Sequence, residues 1–138
     1  MRRWRHVPLF IYLLFVYNMV VFANEVVSGF TLSTVLYTFT MLSGPVLTIN
    51  VGESLLMVGV IALYVEILKT TQGGAVTTWD HLFAMVTFAG FLVEFLLVAR
   101  AATAIFFTLM LMALMAVVAG YTASMTTVRR EIGAMEGT

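Results

Sequence analysis

Cysteine is absent from the chain, which excludes disulfides, thiolate metal sites, iron–sulfur clusters and a cysteine nucleophile. Charge is nearly as scarce: seven basic and seven acidic side chains stand among 138 residues, 62% of which are hydrophobic. The mean hydropathy is +1.04. A soluble domain this short needs a polar shell, because much of its surface must face water. These charges are too few to build one, so the excess apolar surface calls for lipid as its solvent. A net charge of zero gives no electrostatic basis for nucleic-acid binding. Catalytic signatures are also missing. There is no His-Glu-x-x-His helix, no phosphate-cradling glycine loop, and no nucleophile at a suggestive spacing from a histidine, so no enzyme is expected.

What is present reads as four apolar spans. The opening Met1-Arg2-Arg3-Trp4-Arg5-His6 is basic, and an uncharged run follows from Val7 to Asn24. About 20 residues cross a hydrocarbon core. The stretch about 4–24 therefore fits one helix, with Trp4 as an interfacial anchor. The same stretch mimics a secretory signal that ends at Val21-Phe22-Ala23. Its apolar run is long for a signal, so an anchor is expected. Further helices are expected over about 51–70, 78–99 and 101–128, in one membrane domain spanning 1–138. Glu53 opens the second helix, where a carboxylate suits the helix dipole. Thr77 and Asp80 have capping-box spacing at the start of the third, beside the interfacial Trp79. The tail from Gly133 is expected to be loose.

Residues 26–52 are uncharged too, but their texture is not helical. Val35, Tyr37, Phe39 and Met41 alternate with Thr34, Leu36, Thr38 and Thr40. Beyond Ser43-Gly44-Pro45, Leu47, Ile49 and Val51 alternate with Val46, Thr48 and Asn50. Period two around a Ser-Gly-Pro break predicts a β-hairpin over about 34–51. A lone hairpin is marginal in water. Its apolar odd-numbered face should rest on the bilayer surface, the helix bundle or a partner. The fold class expected is an all-α membrane protein, a four-helix transmembrane bundle with a small extracytoplasmic β-hairpin between helices 1 and 2.

Charge gives the orientation. With four spans, Arg2, Arg3, Arg5, Lys69, Arg129 and Arg130 fall on one side and only Arg100 on the other. The positive-inside rule then places both termini in the cytoplasm.

An ionisable side chain inside a membrane is a functional candidate by default. Glu94 is the clearest, between Phe91-Leu92-Val93 and Phe95-Leu96-Leu97-Val98. Counting depth from each turn sets Asn18 and Thr108 at its level, which predicts a polar cluster of Asn18, Glu94 and Thr108 in the outer half of the bundle. Burial in an apolar medium disfavours the charged form of a carboxyl. Two readings stand: Glu94 joins helices by hydrogen bonding or reaches towards Arg100, or it serves a proton, an ion or a ligand. Glu66 and Lys69, three apart, read as an interfacial ion pair.

Helices 2 and 3 share a pattern at an offset of 28, with Gly59, Ala62 and Glu66 matching Thr87, Gly90 and Glu94. An inverted pair of this kind would suit a transporter. As small-residue stripes, these positions and Ala113, Ala116, Gly120 and Ala123 are expected to be close-packing faces. His6 and His81, at cytoplasmic helix ends, are expected to meet water or headgroups rather than haem or chlorophyll. The ten methionines are scattered and read as flexible packing. No cofactor and no metal is expected.

The stretch carrying Ser43-Gly44, Tyr64-Val65-Glu66-Ile67-Leu68-Lys69, Asp80-His81, Val93-Glu94-Phe95-Leu96 and Arg129-Arg130 resembles small uncharacterised bacterial inner-membrane proteins with four transmembrane helices. The resemblance implies a bacterial inner-membrane setting and transfers no activity and no site residues. The functional expectation is a non-catalytic membrane subunit, its partners lipid and other membrane subunits or itself. The other class left open is a small oligomeric transporter or channel, proton-coupled through Glu94.

Overall fold

A computed structural model describes residues 7–72 and 78–137. The elements run α1 (Leu9–Val26), β1 (Val35–Thr40), β2 (Val46–Asn50), α2 (Val51–Gln72), α3 (Thr78–Leu97), a short 3-10 turn (Ala99–Ala101) and α4 (Ala104–Glu136). All four α-helices are long and apolar enough to cross a membrane. A two-stranded antiparallel hairpin stands between the first two.

Proline sets the start of α1. Pro8 is extended, and its ring pushes Val7 away from helical geometry, so the helix begins at Leu9. Trp4 and His6, in the stretch where the first helix is expected to start, lie outside the described residues. The first amide of α1 finds its partner on another helix: Leu9 N–H donates to Glu66 Oε1 at 2.5 Å.

The hairpin pairs Tyr37 with Ile49 and Phe39 with Leu47 on one face, and Thr38 with Thr48 on the other, with a bulge between Val35 and Tyr37. Gly44 N–H closes the turn on the Met41 carbonyl at 2.9 Å. Gly44 takes φ +104° there, a conformation that a Cβ would strain. The bundle does not cover the apolar face. Tyr37 is 60% exposed, Phe39 52% and Leu47 48%.

The root of the hairpin also caps α2. Val51 N–H donates to the Thr34 carbonyl, Gly52 N–H to the Leu32 carbonyl, and Glu53 Oε2 accepts from Asn50 N–H at 2.9 Å. Amides that a helix N-terminus leaves unpaired are thus taken up by the loop before it. Asp80 lies in the first turn of α3, while Thr77 and the Gly73-Gly74 loop lie outside the described residues.

Helix α4 begins at Ala104 rather than Ala101, because Thr103 takes the cap position and its Oγ1 accepts from Phe106 N–H at 3.2 Å. It runs 33 residues to Glu136, so the segment from Gly133 is helical rather than loose up to that point. Arg129-Arg130-Glu131-Ile132 and Ala134-Met135-Glu136 are good helix formers around a single glycine. At 1.5 Å per residue the helix is about 50 Å long, against a hydrocarbon core of about 30 Å.

The core is a single cluster. Phe10, Leu13 and Tyr17 form one stripe of α1 and meet Leu55 and Ala62 of α2, Phe91 of α3, and Phe106, Leu109, Met110 and Ala113 of α4. Gly59 of α2 lies against Leu109 and Met112, and Gly90 of α3 lies against Leu14. Small residues therefore do mark helix contacts. Outward-facing residues are as apolar as the core: Phe15, Met19, Val60, Leu96 and Leu97 are all exposed.

Candidate functional site

The polar chemistry inside the bundle gathers where α1, α3 and α4 meet near the hairpin end. Tyr17 is the buried member from α1, at 1% exposure. Its hydroxyl donates to the Arg100 carbonyl at 3.1 Å and shares a 2.7 Å hydrogen bond with Thr103 Oγ1. Its ring leans on Phe106, with centroids 4.8 Å apart. The turn between α3 and α4 supplies both partners, because the chain leaves α3 at Leu97 and takes five irregular or 3-10 residues before Thr103 caps α4.

Glu94 sits in the last turn of α3, closer to the helix end than a span reaching Ala99 would place it. Its Oε1 is enclosed and has no hydrogen-bond partner in the structure. The carboxyl lies within electrostatic reach of the Tyr17 hydroxyl. Phe91 and Phe95, three before it and one after, both meet the ring of Phe106, at 5.3 and 6.3 Å. Arg100 does not come to it. The guanidinium pairs with Glu25 and lies 5.2 Å over the Phe22 ring. That ion pair borders a cavity of about 370 Å³ lined by Asn24, Glu25, Thr31, Ser33 and Arg100 among others.

No hydrogen bond joins Asn18, Glu94 and Thr108. Asn18 Nδ2 donates to the Leu14 carbonyl at 3.0 Å, and Thr108 Oγ1 to the Ala104 carbonyl at 2.7 Å, each within its own helix. Tyr17 is within electrostatic reach of Glu94, and Thr103 hydrogen-bonds Tyr17. Both left a signal: a tyrosine beside Asn18 in an uncharged run, and a threonine directly before an apolar helix. Substituting Tyr17→Phe is expected to destabilise the protein by about 1–3 kcal/mol, because it strands the Arg100 carbonyl. Thermal denaturation in detergent measures this, and an unchanged midpoint would count against the network.

At the other end of the bundle Glu66 and Lys69 form their ion pair at 3.2 Å. The same Glu66 oxygen takes the Leu9 amide, so the pair also fastens α1 to α2. His81 lies against α4, its ring 6.2 Å from Tyr121, with an enclosed Nδ1 that has no partner. Among the described residues no three His, Asp or Glu side chains gather as a metal site would require. No protein family, no curated protein and no solved structure matches the chain significantly.

Proposed function

We propose that the chain is a non-catalytic, multi-pass subunit of a larger assembly in a bacterial inner membrane, with both termini in the cytoplasm. The four apolar helices supply the spans, and the bias of Lys and Arg towards one side supplies the orientation. The observation that carries the subunit reading is the hairpin. Its apolar face is left open by the bundle, and among the described residues no third strand lies beside its two strands. Sheet edges that must stay solvated are ordinarily guarded by charge. Residues 26–52 carry none. The occupant that fits is a neighbouring membrane subunit with an uncharged strand or apolar face just outside the bilayer, paired by β-augmentation.

The test is extraction into native-lipid nanodiscs followed by sizing and subunit stoichiometry. The wild-type chain should travel with unrelated chains in fixed ratio. Phe39→Lys should release them while leaving the bundle's melting midpoint unchanged. A particle containing this chain alone would overturn the reading. A second reading, a small oligomeric transporter or channel, is favoured by one observation, the enclosed Oε1 of Glu94 that has no hydrogen-bond partner. A homo-oligomer whose leak or uptake depends on Glu94 would support it.

A further inference from the structure

We propose that the cavity beside the Arg100–Glu25 ion pair binds the zwitterionic head of an aminophospholipid, with its phosphate on Arg100 and its ammonium on Glu25. The inference needs the four helices to span a bilayer and does not depend on what the hairpin docks. The cavity, about 370 Å³ in volume, lies between the end of α1, the loop before the hairpin and the turn after α3. Val20 and Leu32 give it apolar lining, Asn24 and Ser33 add polar groups, and both members of the ion pair border it. Glu25 is in the last turn of α1, and Arg100 is in the 3-10 turn that follows α3. Two spans therefore end here, on the hairpin side, at the level where lipid headgroups lie.

The charges specify the ligand. The side chains of Arg100 and Glu25 are 47% and 55% exposed, and an ion pair that open adds little to stability. It also leaves binding capacity unused. The pair joins one guanidinium nitrogen to one carboxylate oxygen. A guanidinium has five N–H donors in all, and a carboxylate has a second oxygen. The remaining donors suit a phosphate, and the remaining oxygen suits an ammonium. Side by side, the two charges make a dipole with no net charge. An anionic head would be repelled by Glu25 and a cationic one by Arg100, whereas a zwitterion laid antiparallel is attracted at both ends. A quaternary ammonium fits less well, because it has no N–H to give the carboxylate. The acyl chains have a path too. Phe15, Met19 and Phe22 are exposed at helical spacing along α1. The Arg100 guanidinium lies over the Phe22 ring, at the hairpin end of that stripe.

Native mass spectrometry of the full chain tests this, with the protein released from nanodiscs of equal parts phosphatidylethanolamine, phosphatidylglycerol and phosphatidylcholine. The wild type should retain phosphatidylethanolamine about 5-fold over each of the other two, the size of a half-exposed ionic contact. Glu25→Gln should turn the preference towards phosphatidylglycerol, because Arg100 is left without its counter-charge. Arg100→Gln should release the lipid. Both variants should keep the wild-type melting midpoint, since the pair is exposed. Equal retention of the three lipids by the wild type, a result that needs no variant, overturns the proposal. So does a preference for phosphatidylethanolamine that survives Glu25→Gln. Free phosphoethanolamine at the same concentration should not displace the lipid, since it lacks the chains. Displacement would assign the site to a soluble zwitterion and overturn the lipid. None of these failures touches the subunit reading, which depends on the chains that travel with the hairpin.

Discussion

Replacing Phe106 with alanine is expected to destabilise the bundle by about 3 kcal/mol. The ring is fully buried and is the hub of the aromatic cluster, within 4.8 Å of Tyr17, 5.3 Å of Phe91 and 6.3 Å of Phe95. It therefore touches α1 and α3 from its seat on α4. Lipid tails are as apolar as the ring, so the loss is one of packing rather than of water avoidance. Truncation removes dispersion contacts on two sides and leaves a void that helices held at both ends cannot fill. Reversible unfolding in mixed detergent gives the number. A cost below about 1 kcal/mol would mean that these helices are held together elsewhere.

Gly59→Leu should cost about as much by the opposite route. A Cβ at Gly59 would stand 2.9 Å from Leu109 Cδ2 and 3.0 Å from Met112 Sδ. Both atoms are flexible side-chain ends, so Gly59→Ala is absorbed by small rotations and should change stability by less than about 1 kcal/mol. A leucine cannot be absorbed, and α2 must move away from α4. The graded response from alanine to leucine is the signature of a close backbone approach. Gly133→Ala serves as the control, because nothing lies within 4 Å of that position. It should be neutral, or stabilising by up to about 1 kcal/mol through helix propensity. Equal effects at Gly59 and Gly133 would remove the α2–α4 contact as the explanation.

The sequence makes the number and kind of elements readable because two different periods are present. Alternation from Val35 to Val51 around Ser43-Gly44-Pro45 cannot be mistaken for a helical stripe, and the uncharged runs are long enough to be helices. Which face of each helix turns inward is a different matter. Outward-facing Phe15, Met19 and Leu96 are as apolar as inward-facing Phe10, Leu13 and Phe91. When both faces are greasy, periodicity has nothing to report. The reading of the site suffers most. Asn18 and Tyr17 are one residue apart, about 100° around a helix, and depth counting cannot choose between them. The hydroxyl that meets Tyr17 is that of Thr103, the cap of α4, while Thr108 bonds within its own helix, and the cap position sets which of them faces α1. Glu94 could be singled out from its surroundings alone. That its Oε1 is enclosed without a hydrogen-bond partner depends on how the helices pack around it, which no linear pattern records.

Greasy rods in hydrocarbon slide cheaply, since moving one turn along exchanges one apolar neighbour for another. The Glu66 carboxylate on the leading amide of α1 withdraws that freedom from the first two helices. A slip of about 5.4 Å would part the Leu9 amide from the carboxylate that accepts it. At the opposite end, the loop leading from α1 through the hairpin is tied by backbone to the first turn of α2. The vertical offset of this pair is thus fixed by a polar latch at each end, and the greasy surfaces between need only fill space.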